Sequence, residues 1–390
     1  MSASPHFGAF ARTPGAGRRA LQACVFDALL SGAARLRADR VALEASGAGV
    51  VGPPSLTFGA FDGVASRLAG AFRECGLAPG DRLMIAGAAD PATVALIFGA
   101  ARAGLETALI SAAADRDALI AAARAADVAA LAAPGRIGDW SPAQTLLEVA
   151  GAVETIRFVG VWGAAARGAL RLDDDSFEAP AAAPKAPPAA IVSFAGAPAT
   201  PRPVRRDQST VAAAALDFLA RAQIGAGLAL VTCVSPTRLA GLVAGPVASL
   251  LSGATLHLHA PFEGAALIEA LRETQPAHLI LPGSLGAEIA ALARLRRLRL
   301  ASLTLVEDEA GAPAVIDADS PIVDLRRIGE IACAAERRDE HGRAAVFPGA
   351  PHTVPLDEEE LLALDWREAA DGVREWRGVA VAGGEDWTRA

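Results

Sequence analysis

The chain has 390 residues, 52% hydrophobic and 21% charged, enough for two or three packed domains and unlike the composition of a disordered chain. A formal net charge of −8, with no basic block interleaved with aromatics, argues against nucleic-acid binding. Its four cysteines stand far apart, with no CxxC pair and no histidine at ligand spacing, which argues against a disulfide framework or a structural zinc site and fits a reducing, cytoplasmic setting.

Residues 1–20 are rich in Gly, Pro, Ser and Arg and read as a loose tail. Arg18 and Arg19 before Cys24 look superficially like a secretion signal, but Pro14 and Gly15 occupy the place of the apolar stretch such a signal needs. A first α/β subdomain is expected at 21–178. Apolar residues at helical spacing predict a helix over 25–36, followed by a strand at 40–44 and a Gly-rich turn at 47–52. A helix over 61–75 and a strand at 82–86 come next, then a helix at 91–103 capped by Gly104 and a strand at 106–110. A helix at 116–126 leads to a strand at 128–132. Such short-period alternation implies parallel strands wrapped by helices.

Residues 179–190, with Pro180, Pro184, Pro187 and Pro188 among alanines, cannot propagate a helix or a central strand and read as a surface crossing. The pattern then resumes over 191–343: strand 191–194, helix 210–223, strand 229–233, helix 239–252, strand 255–259, helix 265–274, strand 278–281 and strand 322–325. The most apolar run, 239–256, contains Gly241, Gly245 and Pro246 and is short for a bilayer, so no membrane span is expected. Residues 344–390 form a short appendage, in which Asp357 to Glu360 followed by Leu361, Leu362 and Leu364 look like the first turn of an amphipathic helix. Trp366, Trp376 and Trp387 would dock this tail on the body or on a protein partner.

Three stretches carry a family resemblance: Leu56-Thr57-Phe58 with the helix running to Gly76-Leu77-Ala78-Pro79-Gly80-Asp81, then Ile97-Phe98-Gly99-Ala100-Ala101-Arg102-Ala103-Gly104, then Leu239-Ala240-Gly241-Leu242 through Gly253-Ala254-Thr255. Their order resembles the large N-terminal domain of adenylate-forming enzymes, the superfamily of acyl-CoA synthetases. The resemblance implies an α/β fold of two stacked, mostly parallel sheet subdomains wrapped by helices, with ATP, Mg²⁺ and CoA as the family's cofactors. It also implies a small-molecule acyl, nucleotide or CoA ligand.

The family's catalytic motifs match less well. Where it keeps a Gly-, Ser- and Thr-rich phosphate loop, this chain has residues 194–204, in which Pro198, Pro201 and Pro203 remove N–H donors and Ala195, Ala197 and Ala199 bring no hydroxyl. Gly196 and Thr200 remain as phosphate-binding candidates, joined by Arg202 and Arg205 beside Arg206, whose guanidinium forks suit phosphate. The alternative is a solvated turn. The Mg²⁺-binding glutamate of the family falls on Glu330 in Arg326-Arg327-Ile328-Gly329-Glu330, and the alternative there is a solvated residue or an arginine partner. No tyrosine stands before it, because the chain has none. Arg238 occupies the place of a pocket histidine, either facing a carboxylate or phosphate or reaching to solvent. Lys185 is the only lysine in the sequence, so the family's adenylation lysine is not expected after residue 343.

Other motifs carry less. His257 and His259 share a strand face, read as a satisfied or exposed pair on a sheet edge rather than a metal pair. Ser284 reads as a helix N-cap, and the acidic run 173–175 as a solvated turn. Three functions follow: an acyl-CoA-synthetase-like protein that binds ligand without completing ligation alone, a ligase completed by a second polypeptide, or a scaffold for an enzyme complex.

Overall fold

Helix Pro91–Ala103 is apolar on every side of its sequence, and only Ala92 and Ala101 escape burial. Asp90 caps its start by accepting from the Thr93 N–H at 2.9 Å, Pro91 occupies the first turn, and Gly104 closes it at φ 76°. Phe98 stacks on Phe26 at 5.1 Å and meets the edge of Phe61 at 5.3 Å. Gly99 lets helix Phe58–Glu74 approach, since a Cβ there would lie 2.5 Å from Leu68.

These contacts come from a computed structural model that describes residues 15–46, 55–164, 166–174, 177, 188–307, 312–347, 349–357 and 359–390. The turn expected at 47–52, most of the crossing at 179–190, and Asp175 lie outside the described residues. The strands in chain order are β1 (Val41–Ser46), β2 (Ser55–Thr57), β3 (Arg82–Gly87), β4 (Glu106–Ser111), β5 (Ala130–Pro134), β6 (Val159–Trp162), β7 (Leu170–Arg171), β8 (Ile191–Ala195), β9 (Arg202–Arg206) and β10 (Ala229–Thr232). They continue as β11 (Leu256–His259), β12 (Ala277–Pro282), β13 (Leu300–Val306), β14 (Ile322–Ile328), β15 (Ala332–Arg337), β16 (His352–Leu356), β17 (Glu359–Glu368), β18 (Arg374–Arg377) and β19 (Thr388–Arg389).

Two largely parallel sheets result, one in the order β7-β6-β5-β3-β4-β8-β9 and one in the order β15-β14-β13-β12-β10-β11-β1-β2. Near-continuous apolar strands covered on both faces explain the parallel arrangement, as the alternation of the sequence implied. The sheets do not divide where the sequence suggested, between residues 178 and 191. Strands β1 and β2 join the second sheet, with Leu43 beside Leu256, while β8 joins the first through Thr107 and Ile191. Strand pairing is long-range and leaves no trace in local composition.

Three further expectations need correction. The tail does not stay loose through residue 20, because helix Ala16–Ala23 forms and its N-terminus is held by Glu359, whose carboxylate accepts from the Gly15 N–H at 2.6 Å and the Gly17 N–H at 3.0 Å. The acidic run at 357–360 starts no helix: Asp357 turns at φ 48° between β16 and β17, and the leucines after it alternate along a strand of the antiparallel sheet β16-β17-β18-β19. His257 and His259 lie on β11, in the interior of the eight-stranded sheet, and both are buried rather than at an edge. Burial lowers both pKa values, and His259 Nε2 meets the Glu263 backbone at 2.9 Å while its Nδ1 is buried without a partner.

The helix expected over 239–252 is also interrupted. Gly245 leaves helical geometry at φ −93°, ψ −106°, Pro246 lacks an N–H, and a wide turn Val243–Val247 separates helices Leu239–Leu242 and Ala248–Ser252.

Candidate functional site

The segment expected to grip phosphate is a hairpin. Strands β8 and β9 pair antiparallel, with Ala195 opposite Arg202, and β9 is the edge of its sheet, where Pro203 removes no ladder bond. Between them the chain turns at Gly196, whose φ of 86° requires glycine. The Thr200 N–H then closes on the Ala197 carbonyl at 2.9 Å, a β-turn whose second residue is Pro198. Pro198 therefore has a structural cause, since its fixed φ presets this tight turn.

Alternation along β9 sends neighbouring arginines to opposite faces. Arg205 points outward and its Nε donates to Glu106 at 2.9 Å; burial opposes the effect, but hydrogen bonds from Arg82 and Arg205 hold Glu106 below the usual carboxylate range. Arg206 points inward, 2% exposed, and its Nη2 donates to Ser193 at 2.8 Å and to the Glu330 carbonyl. Its Nε and Nη1 find no partner, and burial pulls the guanidinium pKa down against the nearby Glu330 charge.

Glu330 follows β14 after the left-handed Gly329 and is itself buried. Arg327 reaches back three residues so that its Nη1 donates to Glu330 Oε1 at 3.1 Å, while its backbone N–H donates to Glu307 at 3.1 Å. Glu330 Oε2 and Arg327 Nε are buried without partners. The result is one carboxylate between two guanidinium groups.

The third wall is the loop after β10. Ser235 and Thr237 hydroxyls meet at 2.8 Å, and Arg238 precedes helix Leu239–Leu242, exposed and with no side-chain bond or ion pair. A Cβ on Gly241 would stand 2.1 Å from the Ser235 carbonyl, so Gly241→Ala should lower stability by about 1–3 kcal/mol in thermal unfolding. An unchanged melting temperature would show that this loop yields.

These walls enclose a cleft of about 240 Å³ lined by Ser193, Gly196, Thr237, Arg238, Arg327 and Glu330. A hollow of about 250 Å³ adjoins it across Arg238 and Arg327, bounded by Cys233, Pro282, Val306 and Glu307. Both lie beyond the carboxyl ends of parallel strands from the two sheets, where open α/β folds hold ligands. Burial pushes the Cys233 thiol up to about 12, so it lines the hollow as an inert group.

Of the residues singled out from sequence, Gly196, Arg238 and Glu330 come together at the cleft. Thr200, Arg202 and Arg205 are exposed on the outer part of the hairpin, away from its lining. Sequence reasoning missed Arg327 as a lining group and Glu307 altogether. The spacing of Arg327 three residues before Glu330 was the available signal. Among the described residues no group of three or more His, Cys, Asp or Glu is placed to hold a metal ion.

Residues 30–330 match the family of AMP-binding enzymes. The chain belongs to that family. No curated protein sequence matches it. Among solved structures, the AMP-binding chain is similar to apo MbtA of Mycobacterium smegmatis, with a TM-score of 0.71 and 16% identity over 95% of this chain and 71% of that one. It is similar to the amide bond synthetase McbA of Marinactinospora thermotolerans, with a TM-score of 0.70 and 18% identity over 92% and 71% of the two chains. It is also similar to a benzoate CoA ligase from Burkholderia xenovorans LB400, with a TM-score of 0.69 and 17% identity over 92% and 72%. At these identities the likeness establishes the adenylate-forming fold. No helix among the described residues is long and apolar enough to cross a membrane.

Proposed function

We propose that this AMP-binding protein holds a small anionic ligand, the carboxylate of an acid or the phosphate of AMP, in the cleft between its two sheets, without activating acids by itself. The observation that carries this reading is the β8–β9 hairpin. A triphosphate cradle needs free N–H groups and inward-facing cations. Here Pro198 and Pro201 have no N–H, the Thr200 N–H is committed to Ala197, Arg205 is paired with Glu106, and Arg206 lies buried under the hairpin. Magnesium fits poorly too, because Arg327 holds one oxygen of Glu330 and Arg206 sits beside it. Glu330 thus acts as counter-ion to Arg206 and Arg327. A single anion suits the remaining set: Arg238 is free and exposed, and Arg327 has an unpartnered Nε. The hollow beyond Arg238 would take the acyl portion, and CoA is the further ligand to try.

The test pairs two measurements. With ATP, Mg²⁺ and a broad acid panel, the purified chain should give no pyrophosphate exchange; robust exchange would reject the proposal. In a thermal-shift screen with AMP, CoA and the same acids, at least one ligand should stabilise the fold, by about 2.7 kcal/mol at a hundredfold excess over its Kd. Arg238→Gln should weaken that ligand about tenfold, the effect of losing one charge-assisted hydrogen bond. Exchange that appears only when another polypeptide is added would favour a ligase completed in trans. The scaffold reading has less support, because Trp376 is 3% exposed and stacked on Phe347, and Trp387 lies between Arg367 and Arg377 at 4.4 and 4.5 Å.

A further inference from the structure

At the other end of the eight-stranded sheet lies a hollow of about 380 Å³ that shares no residue with the cleft. It forms where the chain leaves helix Gly286–Leu295, turns at 296–299 and enters β13 at Leu300. The hollow reaches along β13 as far as Leu303, four residues from Glu307, or roughly 13 Å at about 3.3 Å per residue. Its apolar part is made by Ala293, Leu298, Leu300 and Leu303, while Arg294, Arg297, Arg299, Asp319 and Ser320 supply polar groups to its lining.

The arginines of this lining are not equivalent. Arg294 is neutralised: its Nη1 and Nη2 donate to Asp317 at 2.6 and 2.7 Å, and its Nε donates to Asp319 at 3.2 Å. Arg297 and Arg299 are exposed, and neither guanidinium has a hydrogen bond or ion pair. Gln275 fixes the Arg299 backbone by accepting its N–H at 3.1 Å, and Arg297 is held at φ 56°, a left-handed conformation that costs energy for any residue with a Cβ. Two uncompensated guanidinium groups beside this apolar part stand out in a chain of net charge −8. The hollow has the size of small-molecule sites, which run from about 300 to 1,000 Å³ and combine apolar walls with a few placed polar groups. Guanidinium forks match carboxylate and phosphate oxygens.

We propose that this hollow is a second ligand site, for a free anionic amphiphile whose carboxylate or phosphate monoester head meets Arg297 and Arg299 while its apolar body lies on the apolar part. The site is independent of the cleft and of what the cleft binds.

The test is calorimetric titration of the full chain, below micelle-forming concentrations, with decanoate and decyl phosphate. Decanol and inorganic phosphate serve as controls. Both amphiphiles should bind, and the tighter of the two identifies the preferred head group. Arg297→Gly removes the charge and relieves the left-handed backbone, so the fold is kept, and affinity should fall about tenfold. Arg297→Gly with Arg299→Gln should lower it further, while Arg238→Gln should leave it unchanged. Failure of both amphiphiles to bind, equal affinity in the double variant, or decanol or inorganic phosphate binding as tightly would overturn the proposal. Loss of binding in Arg238→Gln would overturn it too and assign the amphiphile to the cleft.

Discussion

Replacing His352 by alanine should destabilise the protein by about 3–5 kcal/mol, the cost of leaving buried charges without their partner. His352 begins β16 and is 2% exposed. Its Nδ1 meets Asp217 at 2.8 Å on helix Gln208–Ala222, and its Nε2 meets Glu336 at 3.1 Å on β15. The ring therefore ties the C-terminal sheet to the body at two points. Without it, Asp217 keeps only Arg221 at 3.6 Å, and Asp217 Oδ1 is already buried without a hydrogen bond. Denaturant unfolding of wild type and variant gives the difference directly.

The same contact sets a pH dependence. Burial alone would lower the His352 pKa, but hydrogen bonds that the ring donates to the Asp217 and Glu336 carboxylates push it up to about 9. A group whose folded pKa lies above its unfolded value, about 6.5 for histidine, favours the folded state most when protonated in both. Its contribution is thus complete below about pH 6.5 and is lost as pH rises through about 9. The stability gap between wild type and His352→Ala should narrow across that window. A gap that stays level from pH 6 to pH 10 would mean that the imidazole is neutral in the fold.

Arg338→Ala should cost a similar amount, about 3–5 kcal/mol. The Arg338 Nε donates to Asp324 at 3.0 and 3.1 Å, its Nη2 donates to the same carboxylate at 2.8 Å, and its Nη1 donates to the Pro313 and Gly342 carbonyls at 2.8 and 3.1 Å. Both side chains are nearly sealed from water, at 1% and 6% exposure. Truncation leaves Asp324 charged in a dry site, with only Arg326 at 3.9 Å. Arg338→Lys should not rescue, since a point charge cannot reproduce the fork. Arg338→Leu with Asp324→Leu should recover most of the loss, because the uncompensated charge goes with its partner. If the double variant is as unstable as the single one, the geometry of the pair matters more than its charge balance. Strand β14 carries both Asp324 and Arg327, so Arg338→Ala should also weaken any ligand that the thermal-shift screen assigns to the proposed cleft site.

Where the sequence was legible, a local signal coincided with the observed element. The helix at Pro91–Ala103 has a first-turn proline, with its cap Asp90 and closing glycine Gly104 immediately flanking it, and the central strands β5, β10 and β12 are short, largely apolar runs. Strand exchange between the sheets was not legible, because pairing of Leu43 with Leu256 depends on how the whole chain closes. The acidic stretch before Leu361 misled because its charges suit a helix start equally well, and only pairing of β17 with β16 and β18 decides for a strand. At the site, composition could name the prolines of the hairpin but not that the Thr200 N–H closes on the Ala197 carbonyl. It could not tell Arg205 from Arg206: adjacent on a strand, they end in solvent and in the interior, and that choice is fixed by which face of β9 meets Glu330.

The exchange of strands also sets an order on biosynthesis. As the chain leaves the ribosome, β1 emerges early, yet its parallel neighbour β11 begins only at Leu256. At roughly 5–20 residues per second, the nascent chain waits many seconds with one side of β1 unpaired and Ala42 and Leu43 without their final cover. Nascent chains halted before Leu256 should therefore be sticky, and should become protected from chaperones and proteases once β11 has cleared the exit tunnel.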